Sequence, residues 1–159
     1  YLSCYLFIFL ILNQLNFFFI GDSGSYSLGL IFGYLLITIH KFNPNISPFY
    51  IILLVWYPCF EILFSILRKF NINFSPVKPD IRHLHQLIYY LIKNKFNFSK
   101  LKSNNISSIL ILLFNSFSIL LGSIDIYNTQ NQIILIVMNG LFYALTYNQL
   151  VNYKDKLKK

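Results

Sequence analysis

Acidic side chains are nearly missing from this 159-residue chain. Asp and Glu number 5 against 13 Lys and Arg, and charged residues of both signs make up 11% of it, where an ordinary soluble domain has about 25%. Cysteine is confined to Cys4 and Cys59, far apart in apolar stretches, which leaves no disulfide or metal-ligand spacing and no information on redox compartment. Neither an internal repeat nor a linker divides the chain. Charge is also missing in long blocks: residues 1–21, 23–40, 42–60, 103–124 and 126–153 contain no Asp, Glu, Lys or Arg. A helix needs roughly 20 mostly apolar residues to cross ~30 Å of hydrocarbon. The pattern predicts an all-α, polytopic membrane protein with five transmembrane helices, at about 1–20, 26–40, 49–67, 106–124 and 132–152, in one integral-membrane domain over 1–159. A soluble helical domain would need a polar stripe at a period of 3.6 residues, and residues 50–56, Tyr-Ile-Ile-Leu-Leu-Val-Trp, leave no room for one. The first residues lack the basic segment and small-residue cleavage site of a signal peptide, so the chain is expected to begin inside a span of a longer protein.

The positive charges that remain are uneven. Arg68, Lys69, Lys78, Arg82, Lys93, Lys95, Lys100 and Lys102 fall between the third and fourth expected spans, and Lys154, Lys156, Lys158 and Lys159 form the tail. Basic loops stay in the cytoplasm. The loop 68–105 and the tail are therefore expected on the cytoplasmic side, together with residues 21–25, and residues 43–47 and 125–131 on the other. The bilayer is the partner this composition calls for. The basic tail needs only solvent or anionic head groups, and no aromatic-and-basic recognition motif accompanies it, so no nucleic acid partner is expected.

Three places could carry chemistry. Asp22 lies in Gly21-Asp22-Ser23-Gly24-Ser25 between two apolar stretches. A carboxylate at a membrane boundary is a functional candidate, and Gly and Ser permit a backbone whose N–H groups face an anion; equally, Asp22 or Ser23 could N-cap the second span. The second place is the loop segment Ser75-Pro-Val-Lys-Pro-Asp-Ile-Arg-His-Leu-His-Gln86. Pro79-Asp80 offers a helix start, and Ile81, Leu84, Ile88, Leu91 and Ile92 recur at helical spacing, which predicts an amphipathic helix at the membrane surface. Arg82, His83 and His85 would then gather at its first turn, where backbone N–H groups attract anions. Zinc is disfavoured, because His83 and His85, two apart, point to opposite sides of a helix. The third is Glu61, shortly after Pro58, a residue placed to kink the third span. Glu61 is either functional or paired with Arg68 or Lys69. Asp125 and Asp155 read as solvated charges, and His40 as an interfacial residue.

In this order, Phe19-Ile-Gly-Asp-Ser-Gly-Ser25 with Leu28-Gly29, then Trp56-Tyr-Pro-Cys-Phe-Glu61 with Arg68, then Ser75-Pro76 and Pro79-Asp-Ile-Arg-His-Leu-His85 resemble the bacterial polyprenyl-phosphate N-acetylhexosamine-1-phosphate transferase family, which also contains the muramoyl-pentapeptide phosphotransferases. The Pro-Asp-x-Arg lead-in is closer to the undecaprenyl-phosphate N-acetylglucosamine-1-phosphate branch. The resemblance implies an enzyme of the bacterial inner membrane that transfers a sugar-1-phosphate from a UDP-sugar to polyprenyl phosphate and releases UMP, the first membrane step of cell-envelope glycan synthesis. It implies Mg2+ (or Mn2+) as cofactor with Asp22 as catalytic metal ligand. It implies Ser23, Gly24, Asp80, Arg82, His83 and His85 as substrate-binding residues. A homodimer is carried as a further partner. Two positions depart from the family pattern: Gln86 stands where a final His is usual, and Glu61 where Asp is usual. The family's earlier acidic pair and Asn motif are not in these residues, and the resemblance places them upstream of Tyr1. The reading from another class is a non-catalytic membrane protein, a transporter segment or a degenerate relative. A transporter is expected to carry broken-helix or ionisable features at mid-span in paired halves.

Overall fold

A computed structural model of the chain describes residues 2–71 and 82–156. The expected loop residues Ser75, Pro76, Pro79 and Asp80 lie outside the described residues. Among the described residues there is no strand, and the chain falls into two compact units, Tyr1–Pro44 and Asn45–Lys159.

The first unit holds α1 (Leu2–Gln14) and α2 (Gly21–Phe42). The expected first span, 1–20, is not one helix. It turns after 13 residues, where Asn16 adopts the left-handed region at φ 60° and Asn13 Nδ2 donates to the Phe18 carbonyl at 3.0 Å. Asn is among the few residues that tolerate that conformation. Gly21 then admits the chain into α2 at φ +65°, at no steric cost to a residue without Cβ. No residue of α2 is buried.

The second unit is built from α3 (Pro48–Leu54), α4 (Trp56–Asn71), α5 (Leu84–Phe96), α6 (Lys100–Gly122) and α7 (Thr129–Lys156). Ser47 caps α3 by accepting from Phe49 N at 3.3 Å, and Pro48 stands at its first position, where a missing N–H costs nothing. The third expected span is bent by 77° between α3 and α4. The break falls at Val55 (φ −118°, ψ 13°), three residues before Pro58. In a continuous helix the Pro58 ring would meet the Leu54 carbonyl and leave it without a donor, so the helix stops there and restarts at Trp56. The fourth and fifth expected spans match α6 and α7. These two helices are long and apolar enough to cross a membrane, and the bent α3–α4 pair makes a third if it counts as one span.

What holds the second unit together is small or polar at the helix contacts and aromatic between them. Ser118 Oγ lies 3.0 Å from Asn139 Oδ1 between α6 and α7. Gln132 Nε2 donates to the carbonyls of Gly122 and Asp125, both at 2.8 Å, closing the end of α6. Such bonds are the usual means by which helices associate where apolar surface gives no advantage over lipid. Gly122 admits the fully buried Leu53: a Cβ there would sit 2.3 Å from Leu53 Cδ2 and 3.0 Å from Gln132 Oε1. Gly122→Ala is therefore expected to destabilise the unit by about 1–3 kcal/mol, the usual cost of overpacking. Thermal unfolding in detergent checks this, and the loss should be smaller in the Leu53→Ala background, where the clashing methyl is gone.

Candidate functional site

A buried carboxylate organises the second unit. Spacing along α4 puts Tyr57, Glu61, Phe64 and Arg68 on one side of that helix, because residues three and four apart share a face. Opposite them, Tyr143 and Tyr147 of α7 stack with rings nearly parallel, centroids 6.3 Å apart. Phe60 and Phe64 meet Tyr143 edge-on at 5.0 and 5.2 Å, a geometry the ring quadrupoles favour. Gly140 lets α7 come close, since a Cβ there would touch Phe60 at 3.1 Å.

Inside this frame Glu61 is only 9% exposed. Its Oε1 accepts from the Leu84 backbone N at 3.1 Å and lies 2.9 Å from His83 Nδ1. Its Oε2 is buried without a hydrogen-bond partner among the described residues, as are the hydroxyls of Tyr57 and Tyr143. Both hydroxyls lie within electrostatic reach of Glu61. Arg68 Nη1 donates to Tyr147 Oη at 2.6 Å and to the Arg82 carbonyl at 3.0 Å. It thus fixes the strand of chain that leads into α5.

This geometry revises the expected first turn of the loop helix. The cap position is His83, not Asp80, and Gln86 Oε1 accepts from the His83 N–H at 3.4 Å, half of a capping box. Gln86 therefore has a local structural task. With His83 outside the helix proper, the rule that residues two apart diverge no longer applies: the His83 and His85 rings stack at 5.7 Å and 12°. Most important, the positive end of α5 is already answered by the Glu61 carboxylate. An anion near this turn would meet the exposed Arg82 and His85 side chains rather than the Leu84 N–H.

His85 borders two clefts. One, of about 280 Å³, is lined by His85, Gln86, Tyr89, Asn104, Ser107 and Ser108; the other, of about 490 Å³, reaches from His85 past Tyr57 and Pro58 to Asn115. A third cleft, about 320 Å³ and mostly apolar, runs from Tyr57 and Leu84 between α6 and α7 to Leu150. Packing around the imidazole holds the His85 pKa below its ordinary value; the Glu61 charge opposes this, and His83 adds to it.

The expected residues thus divide. Arg82, His83 and His85 gather with Glu61 and Arg68, while Asp80 lies outside the described residues. Asp22, Ser23 and Gly24 belong to the other unit. Asp22 is exposed and occupies the second position of α2; the cap position is Ile20, with no side-chain cap bond, so neither Asp22 nor Ser23 is the N-cap. Ser25 and Ser27 donate to the Asp22 and Ser23 carbonyls at 2.8 Å. Ile20 approaches Gly24 so closely that a Cβ would lie 2.5 Å from its Cγ1. Sequence reasoning missed Tyr57, Tyr143 and Tyr147. Their signals were present: Tyr57 stands four residues before Glu61, and Tyr143 four before Tyr147. Among the described residues no three His, Cys, Asp or Glu side chains come together to hold a metal.

No protein-family model, curated protein or solved structure matches this chain.

The lowered His85 pKa has a sign that can be tested. The folded state favours neutral imidazole, so the unfolded chain binds the proton more readily. The stability gained is complete above the ordinary pKa of about 6.5 and is lost as pH falls through it toward the folded value. His85→Gln, which does not titrate, should remove this part of the acid slope. Unfolding followed between about pH 5 and 8 checks it; identical slopes for the native chain and the variant would contradict it.

Proposed function

We propose that the protein transfers a sugar-1-phosphate from a UDP-sugar to polyprenyl phosphate at the cytoplasmic face of a bacterial inner membrane. The observation that carries this reading is convergence. Arg68, the Trp56–Glu61 segment and the Arg82–His85 segment are separated in sequence, carry the resemblance, and meet around one buried carboxylate. The clefts reaching the first turn of α5 suit the two substrates. The apolar one has the lining a prenyl chain requires, and the one beside His85 offers the amides and hydroxyls that a sugar or nucleoside hydrogen-bonds. The five-span topology, with loop 68–105 and the tail cytoplasmic, belongs to the same proposal and draws on the charge distribution.

In the transfer, a phosphate oxygen of the polyprenyl phosphate forms a bond to the β-phosphorus of the UDP-sugar. The bond from that phosphorus to the bridging oxygen breaks, and the oxygen leaves on UMP. Arg82, fixed through its carbonyl by Arg68, neutralises the diphosphate. His85, held toward the neutral form, supplies a hydrogen bond without repelling Arg82. Glu61 positions both through α5. Mg2+ uses one or two carboxylates plus substrate phosphates; on the resemblance alone Asp22 would be one such ligand, and the ion would supply charge neutralisation at the leaving phosphate.

A second reading draws on the same geometry. Glu61, His83 and Gln86 satisfy one another and the end of α5, so a purely structural cluster in a non-catalytic membrane protein would look alike. Activity separates the two. Membranes containing the full-length protein should convert a radiolabelled UDP-N-acetylhexosamine and polyprenyl phosphate to an organic-soluble product with release of UMP, whereas residues 1–159 alone, with Asp22 as the only expected metal carboxylate, should not. Asp22→Asn should lower turnover about 10²–10³-fold. Arg82→Ala should act mainly on KM for the UDP-sugar, as a group that binds ground and transition states alike. Absence of product favours the non-catalytic reading; near-native turnover and Mg2+ dependence in Asp22→Asn would instead remove Asp22 from the metal site.

A further inference from the structure

We infer that the elbow between α5 and α6 is a docking element for anionic lipid: it inserts a pair of phenylalanines into the head-group boundary and surrounds them with lysines. The inference depends on α6 crossing the bilayer and is independent of the transferase reading.

The elbow is short and built. Asn97 ends α5 in the left-handed region, φ 52°, ψ 35°, a conformation Asn accepts more readily than most residues. Ser99 Oγ then accepts from Lys102 N at 3.4 Å and starts α6. Between these two caps, Phe96 and Phe98 stack with centroids 5.6 Å apart and planes 17° from parallel. Both rings face outward, Phe96 being 54% exposed and Phe98 40%. A stacked aromatic pair held open to water is unfavourable, and the inner face of α5 cannot take it. That face is committed to the interior, where Leu84 and Leu87 pack with Tyr143 and Tyr147 of α7.

The position of the elbow says what covers it. α6 has 23 residues and is long and apolar enough to cross a membrane; Lys100 and Lys102, in its first turn, carry its only charges. The apolar run of α6 begins at Ile106, so its first turn, with Lys100 and Lys102, stands on the water side of the hydrocarbon boundary, at the level of the head groups, and the Phe96–Phe98 pair immediately precedes that turn. Aromatic rings are at home there. Lys93, Lys95, Lys100 and Lys102 flank them in sequence, with Lys95 Nζ 5.8 Å from the Phe96 ring centroid and Lys93 Nζ 6.0 Å from that of Tyr89. The sequence places no Asp or Glu anywhere between Asp80 and Asp125, so nothing acidic in that stretch offsets these lysines. Long lysine stems lie along apolar surface while the ammonium reaches outward, a geometry that meets negatively charged head groups. Each lysine close to an anionic surface contributes about a fivefold preference.

The experiment uses the whole chain in nanodiscs of phosphatidylcholine alone or of phosphatidylcholine and phosphatidylglycerol in equal parts. Native mass spectrometry reads the ratio of the two lipids retained by the protein released from the mixed discs. A fluorophore on Asn94→Cys, in a background with Cys4→Ser and Cys59→Ser, reads insertion by quenching with chain-brominated lipid. Phosphatidylglycerol should be enriched on the native chain. The combined Lys93→Gln, Lys95→Gln, Lys100→Gln and Lys102→Gln variant should lower that enrichment by at least about tenfold, and Lys41→Gln should leave it unchanged. The Phe96→Ser, Phe98→Ser variant should lower the quenching while the enrichment persists. Equal retention of both lipids by the native chain, enrichment that survives the four substitutions, or a label that brominated lipid does not quench would each overturn the inference.

Discussion

Removing a carboxylate from water is costly unless hydrogen bonds or opposite charge replace the solvent, and Glu61 is a carboxylate 91% removed from it, being 9% exposed. The second unit is arranged around that requirement. One oxygen is met by His83 and by the first free N–H of α5, a charge-assisted pairing that also opposes the helix dipole. The bond ties α4 to α5, and α5 in turn lays Leu84 and Leu87 against Tyr143 and Tyr147. Arg68, two turns along α4, repeats the device from the other side by holding the Arg82 carbonyl and the Tyr147 hydroxyl. A charge and its partners thus set the angle at which the loop helix leaves the bundle, and aromatic packing fills the frame they define.

This constraint also decides what the site can do. The N-terminus of α5 resembled an anion seat in sequence, but its leading amide is answered internally. What remains outward is a guanidinium and an imidazole, both carried on a turn whose backbone is clamped. On the proposed reading, such a turn would hold a diphosphate by side chains without rearranging, because the positioning bonds are made before a ligand arrives. Glu61 Oε2 and the hydroxyls of Tyr57 and Tyr143 are among the buried polar atoms of this interior without a hydrogen-bond partner among the described residues. Tyr57 also lines the apolar cleft.

Much of the fold was legible because charge-free blocks translate directly into long helices, as α6 and α7 illustrate. The first and third expected spans illustrate the limit. Hydropathy averages over residues and does not register that Asn16 can turn the chain at a left-handed residue or that Pro58 denies Leu54 a donor, so one span shortened and the other broke at Val55. The site was legible in part for a similar reason. Arg82, His83 and His85 stood out as titratable residues in one short segment, and Glu61 and Arg68 as isolated charges. Their meeting depends on a 22-residue separation between Glu61 and His83 that no local pattern encodes. Tyr143 and Tyr147 were hidden because an i, i+4 tyrosine pair in an apolar helix reads as one more stretch of span.

The central claim is that the Glu61 carboxylate docks α5. Hydrogen exchange measured by mass spectrometry on the native chain and on Glu61→Ala tests it most directly. Leaving a buried donor without its acceptor costs about 1–3 kcal/mol, so amides of α5 should exchange roughly ten times faster or more in the variant, with Leu84 and Leu87 leading, while α6 and α7 keep their protection. Unchanged protection across residues 84–96 would contradict the account and leave Glu61 a passenger in a helix held by other means.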